Sequence, residues 1–426
     1  MPDALPRRVA SPADVGRNEP YNLAVLVLNA VVFRVGWIFK TESVIMPAFL
    51  DSIAGAGWLR GMLPVLNRAG QSIPPFLLAR RISLAPYKKR IFVLALFGEA
   101  LPFLGLALTV SLVGGRTTPW LAMAFLAFYG IYFGFIGLAQ ISQGTLQGKL
   151  IRPERRGRLL ALSTAGGAFV SVPFAWWLLP GWLADPMGWV LVFGMTGGCF
   201  ALSALVALGL REPADRHSHT VGGVGEAFRS AARILREDRN FRRLVGIAAL
   251  FGASLLLFPH YQALARERLG MGGASLVVWV VVQNLAIGVA SLVVGPFADR
   301  RGNRLALGLV LLGAALVPVL AIFLARLDPA AGRQNFWLLF VAIGFLPMAL
   351  RLLTNYTLEI ARPVDHPRYL STLQICSSAP FLLSPLVGLL IDVTSFELVF
   401  LSTAVVTALG AALTFTLTEP RHASRA

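Results

Sequence analysis

Three arginines stand where arginines are expensive. Arg34, Arg68 and Arg351 lie inside long apolar runs, and one acid, Glu99, lies inside another. An Arg at the centre of a membrane-spanning helix costs roughly 2.5–3.5 kcal/mol on insertion scales, so such residues are compensated or used. A guanidinium facing a cavity offers a fork that fits a carboxylate or phosphate. One Glu cannot neutralise three Arg, which leaves a positive interior suited to a solute with an anionic group. From the helical rise, Arg34 lies about 20 Å and Arg68 about 17 Å from the inner ends of their runs, with Glu99 and Arg351 about 12 and 11 Å deep. Polar candidates for the same cavity are Asn29, Asn67, Gln71, Gln140, Gln143, His260, Gln283, Asn284 and Asn355. Individually, most read as hydrogen-bond partners between helices. Glu99 and Glu42 are candidates for an ion pair or a coupling role. Lys40 and Glu42, at the outer end of their run, are expected to snorkel to water.

The elements that must hold these residues follow from composition. The chain has 426 residues, 56% of them hydrophobic and 14% charged, with a net charge of +17. A basic nucleic-acid domain gathers its charge on one polar face. Here Arg and Lys fall in short blocks between apolar runs, as in a polytopic membrane protein. Twelve runs are long enough to span a bilayer, near 21–47, 57–79, 91–113, 119–143, 159–181, 188–210, 244–264, 274–297, 305–326, 336–358, 370–391 and 396–418. No cleavable signal peptide is expected, since the first run is too long. Cys199 and Cys376 sit inside spans and imply no disulfide framework.

Most of the 38 Lys and Arg residues fall in alternate connections, including ARRISLAPYKKR, GKLIRPERRGR and the 211–243 segment. The positive-inside rule makes that side cytoplasmic, with both termini on it. Trp58, Trp120, Trp177, Trp182, Trp189 and Trp337 fall at the opposite ends of their spans, as an aromatic belt would. The chain also repeats itself. Arg152, Pro153, Arg158 and Leu160 align with Arg362, Pro363, Arg368 and Leu370, and Pro47 aligns with Pro259. Six spans repeated in parallel place a site at the midplane between two halves. The expected organisation is an N-terminal tail (1–20), a six-helix bundle (21–210), a linker (211–243), a second bundle (244–418) and a short tail (419–426). Phe228, Ala231, Ala232 and Leu235 are spaced as one face of a helix in the linker.

Between spans eight and nine runs GPFADRRGNR. It resembles the signature loop of the major facilitator superfamily, roughly G-x-x-x-D-R-x-G-R-[RK]. Gly295, Asp299, Arg300, Gly302 and Arg304 match it, with Asn303 in place of a basic residue. The resemblance covers about 21 to 420. It implies an all-α membrane fold of twelve helices in two pseudo-symmetric halves. It also implies that Asp299 lies against the N-terminus of span five near Arg158, where a helix dipole favours an anion. Arg155 and Arg156 stand beside that end, and a loop Arg would pair with Glu359. Departures are equally specific. The equivalent first-half loop is all basic, and Gln147 stands where Glu359 would be matched. Gln140-Ile141-Ser142-Gln143-Gly144 replaces the family's R-x-x-Q-G, so a role carried by that Arg does not transfer. Span five lacks the G-P-x-x-G-G of the drug/proton antiporters. There is no P-loop for ATP.

The expectation is a monomeric secondary transporter in the cell (inner or plasma) membrane, moving a small solute by alternating access. A proton or another ion is a candidate partner, and no cofactor, metal or enzymatic constellation is expected. Two other readings stay open: a lipid or amphiphile transporter, and a transport-dead sensor or scaffold on the same fold. The orientation is testable. With Cys199 and Cys376 replaced, single cysteines at Thr117 or Ala331 should react with an impermeant thiol reagent outside intact cells, and one at Gly157 should not. Reverse labelling overturns it.

Overall fold

The computed structural model describes residues 12–114, 118–185, 187–214, 224–362 and 365–418. Residues 1–11 of the expected 1–20 tail, the tail at 419–426, the labelling position Thr117, the repeat residue Pro363 and the middle of the linker lie outside the described residues, while 12–20 already belong to the first helix. Before the linker come α1 (Pro12–Phe39), α2 (Ile45–Ile53), α3 (Gly57–Leu84), α4 (Lys88–Val113), α5 (Pro119–Leu150), α6 (Pro153–Leu183) and α7 (Gly188–Ala207). Helix α8 (Val224–Glu237) lies in the linker. After it come α9 (Arg239–Leu256), α10 (Phe258–Leu269), α11 (Ala274–Arg301), α12 (Asn303–Arg326), α13 (Pro329–Asn335), α14 (Trp337–Phe345), α15 (Pro347–Ile360), α16 (His366–Ser378), α17 (Ser384–Val393) and α18 (Phe396–Leu413).

Proline opens α5 and α6 at the first helical position, where its missing N–H costs nothing. Elsewhere proline divides the apolar runs. The first run was expected to continue to 47, but α1 stops at Phe39 and α2 begins at Ile45. Thr41 Oγ1 donates to the Ile38 carbonyl at 2.7 Å, and the Ile45 and Met46 amides turn back onto the Thr41 carbonyl. Run seven breaks likewise at Leu257, between α9 and α10. Pro47 and Pro259 both occupy the first turn after the break, and α2 packs on α10. Run ten breaks before Pro347, and run eleven through a 3-10 turn at Ala379–Leu383.

Among the described residues, eleven helical segments are long and apolar enough to cross a membrane. Helix α3 is not one of them, because Arg60, Arg68, Arg80 and Arg81 lower its hydropathy. Its 28 residues still reach about 42 Å, and it packs along α5 and α17. The outer surface is apolar: Leu112, Leu292, Phe169 and Trp177 are each more than three-quarters exposed. A water-soluble monomer rarely shows such a belt, whereas a lipid-facing surface requires it.

The helices sort into two sets. Helices α1, α4, α5, α6 and α7 pack on one another, and so do α9, α11, α12, α14, α15 and α18. The sets meet along α3–α17, α6–α11 and α2–α10. In α8 the buried face is Ala231 and Ile234, packed towards α9 and α16, while Phe228 and Ala232 are exposed. The expected face was therefore rotated, because tertiary packing and not mean apolarity selects which stripe is covered.

At the end away from the termini the two sets close tightly. A Cβ on Gly388 would stand 2.0 Å from the Gly57 carbonyl oxygen, so only glycine permits this approach. The Asp392 carboxylate accepts the Gly57 amide at 2.7 and 3.0 Å, at the N-terminus of α3. Arg60, 1% exposed, reaches Asp51 at 2.8 Å, Glu267 at 3.7 Å and Asp392 at 3.8 Å. One buried cation thus draws on acids from α2, α10 and α17. Gly388→Val should force this end apart. We expect a severalfold rise in thiol reactivity of a single cysteine at Ser384, which is fully buried here. Unchanged reactivity would show that the glycine contact does not hold the seal.

Candidate substrate cavity

A cavity of about 370 Å³ lies among α1, α4, α5, α6, α11 and α15. Asn29, Arg34 and Trp37 line it from α1, Glu99 from α4, Gln140 and Gln143 from α5, Thr164 from α6 and Arg351 from α15. Arg34 and Arg351 thus come from different sets of helices and border one space. Arg34 Nη2 donates to Asn284 Oδ1 at 2.6 Å, and Asn284 Nδ2 donates to the Val280 carbonyl at 2.8 Å. The guanidinium is therefore fixed across the junction. Among the described residues, neither Arg34 nor Arg351 forms an ion pair.

Other polar candidates serve the packing. Asn29 Nδ2 donates to the Ser203 carbonyl at 2.8 Å, tying α1 to α7. Gln283, 7% exposed, accepts from Ser43 Oγ at 2.6 Å, a second bond between the two sets. Asn355 is exposed on α15.

Arg68 borders a different cavity, of about 130 Å³, with Glu42, Asn67, Tyr129 and Phe381. Its guanidinium lies 4.5 Å from the centre of the Phe381 ring, a cation–π contact. Although the sequence puts Arg34 and Arg68 at similar depth, the twist of the helices turns them into separate spaces. A polar chain connects the two. Asn67 Nδ2 donates to Glu42, Gln71 Nε2 donates to Asn67 Oδ1 at 2.5 Å, and Gln140 Nε2 lies 3.4 Å from Gln71 Oε1.

Lys40 does not snorkel. It is fully buried, 2.7 Å from Glu42 and 3.3 Å from the centre of the Trp37 ring, with Tyr132 and Phe133 also beneath it at 4.8 and 4.9 Å. The break after Phe39 turns the side chain inward, and aromatic faces replace water around it. Glu99 does not pair with Arg34 or Arg68. It is fully buried, and neither carboxyl oxygen has a hydrogen-bond partner.

The GPFADRRGNR loop ends α11 and starts α12, with Gly302 at φ +93° between them. Gly295, Asp299 and Arg300 are exposed, and Arg304 donates to the Leu417 carbonyl at 3.1 Å. Helix α11 packs along α6, which carries the exposed Arg158. Glu359, half-buried, lies in the last turn of α15.

Two acids were not singled out in the sequence. Glu19, 1% exposed, accepts the Arg152 amide at 3.0 Å and lies 3.4 Å from both Arg152 Nε and Arg155 Nη1, so it occupies the start of α6. Glu212 accepts the Lys88 and Lys89 amides at 3.0 and 2.8 Å and pairs with Lys149 at 2.9 Å. The all-basic first-half loop thus has its acid supplied from after α7.

Residues 266–426 match the family model described as Major Facilitator Superfamily. No curated protein matches the chain in sequence. Solved structures resemble the whole chain. The nucleoside transporter NupG, as a point mutant, superposes with a TM-score of 0.70 at 14% identity, covering 92% of this chain and 99% of its own. The D-xylose–proton symporter gives 0.69 at 13% identity, covering 94% and 99%. A bacterial homologue of the human lysosomal transporter Spinster, inward-facing and unoccupied, gives 0.66 at 15% identity, covering 96% and 97%. The chain is a multi-pass membrane protein with the major facilitator fold, and the match to that superfamily's model covers residues 266–426.

Glu19 offers a direct test of this geometry. Glu19→Gln should speed hydrogen exchange of the Arg152 amide about tenfold to hundredfold, as expected when a bond to a charged acceptor is lost. An unchanged rate would mean that the carboxylate does not hold the start of α6.

Proposed function

We propose that the protein is a secondary active transporter moving a small solute with an anionic group by alternating access. The reading rests on one observation above all: Arg34 and Arg351, from opposite sets of helices, border a single cavity and have no acid partner among the described residues. An anion bridging them would draw the two sets together, and a rocking bundle needs a ligand with a stronger hold on one state than the other. Arg34 is already oriented by Asn284, so its fork is pre-organised for a carboxylate or phosphate. Gln140, Gln143 and Thr164 supply neutral polar contacts around the same space. The end remote from the termini is sealed by Arg60 and the Gly57–Gly388 contact, which supports access from the terminal end in this state. The likeness to structures described as nucleoside and D-xylose transporters supports transport, and the anionic group comes from the arginines of this chain alone.

A thermal-shift screen with small carboxylates, inorganic phosphate and phosphomonoesters tests the reading, because a bound ligand raises stability with occupancy. At least one anion should stabilise the purified protein. Arg34→Gln and Arg351→Gln should weaken that ligand about tenfold to hundredfold while remaining folded. Arg34→Lys should also lose affinity, because an ammonium lacks the bidentate fork. Arg68→Gln should have a smaller effect, since Arg68 borders the other cavity. Normal binding in all three Gln variants would overturn the anionic-solute reading.

A further inference from the structure

Two acids flank one buried ammonium. Lys40 is paired with Glu42, within a cage of Trp37, Tyr132 and Phe133. Glu99, on α4, lies within electrostatic reach of the same ammonium and borders the main cavity with both carboxyl oxygens unpartnered. A buried ionised carboxyl with no hydrogen bond is untenable, whereas the neutral acid is much less costly. Lys40 also stands at the break between α1 and α2, where the chain changes direction.

We propose that Lys40 exchanges partners between Glu42 and Glu99, and that Glu99 carries a proton whenever Lys40 is on Glu42. This names a proton as the coupling ion and rests on the transport reading. When Lys40 turns to Glu99, the Glu99 O–H bond breaks and its proton passes to water in the cavity. The carboxylate left behind pairs with the ammonium. Glu42 gives up Lys40 but keeps the Asn67 amide and borders the same cavity as Arg68. The reverse exchange requires proton uptake at Glu99. Lys40 keeps an ionised partner in either arrangement.

The geometry suits the exchange. The cage presents only ring faces to the ammonium, and these attract a cation without fixing it to one direction. The Tyr132 ring lies 4.8 Å from Lys40 and within electrostatic reach of Glu99. The charged and titratable groups around the pair are Arg34 and Glu42 from the α1–α2 segment, Tyr129 and Tyr132 from α5, and Arg351 across the cavity from α15. Arg34 repels Lys40, which favours moving the ammonium only towards an ionised acid.

Infrared difference spectroscopy of the full chain in lipid nanodiscs, without solute, tests this independently of what is transported. At neutral pH the spectrum of the native protein minus that of Glu99→Gln should contain the carbonyl band of a neutral carboxylic acid. Glu42→Gln frees Lys40 to reach Glu99, so this band should disappear. Adding Lys40→Met to Glu42→Gln should restore it. If Glu42→Gln does not fold, Glu42→Asp, with its shorter reach, should diminish the band. Absence of the band in the native protein, or its persistence in both the Glu42→Gln and Glu42→Asp variants, would overturn the exchange. Loss of anion binding in the thermal-shift screen with the band intact would instead remove the anionic-solute reading alone.

Discussion

A charge placed among apolar helices must find a partner, and the interior of this protein is organised by that requirement. Lys40 has none of the water an ammonium ordinarily keeps, so three aromatic rings and Glu42 surround it. Glu42 is in turn fixed by Asn67, Asn67 by Gln71, and Gln71 lies against Gln140. The chain of dependence runs from the first helix break to the main cavity. Removing one member of such a network exposes the others to the full cost of unpaired burial.

The same requirement shapes both ends of the bundle. At the remote end Arg60 is nearly inaccessible; Asp51 of the same half pairs with it at 2.8 Å, and closure adds Glu267 and Asp392 of the other half at 3.7 and 3.8 Å. At the terminal end Glu19 and Glu212 sit on helix N-termini, where unsatisfied amides and neighbouring cations favour a carboxylate. A bundle that opens and closes must break such contacts in turn. Ion pairs and glycine contacts suit that role, since each is strong at contact and vanishes over a short movement.

The cavity differs from these closed networks in leaving cations unmatched. Arg34 has one neutral acceptor, and Arg351 is exposed to the space they share. Hydrogen bonds of Asn29, Gln283 and Asn284 hold the helices without consuming charge. The unpaired cations are what the proposed anionic solute would meet.

Much of this was legible in the chain itself. Apolar run length, blocks of basic residues and the GPFADRRGNR loop identify an all-helical membrane fold, because bilayer thickness and backbone hydrogen bonding leave few alternatives. The aligned Pro47 and Pro259 disclosed the repeat but not the helix breaks just before them, since both runs read as continuous. The sequence also singled out Arg34, Arg351 and Glu99 as charges out of place. It could not say which of them share a space. Depth along a helix follows from counting residues, but direction around the helix depends on how neighbours twist and cross. Arg34 and Arg68 accordingly fall into different cavities despite similar depth. Lys40, two residues from Glu42 at a helix end, read as a snorkelling side chain. Only the turn at Thr41 and the rings of α1 and α5, brought together by packing, made it a buried cation.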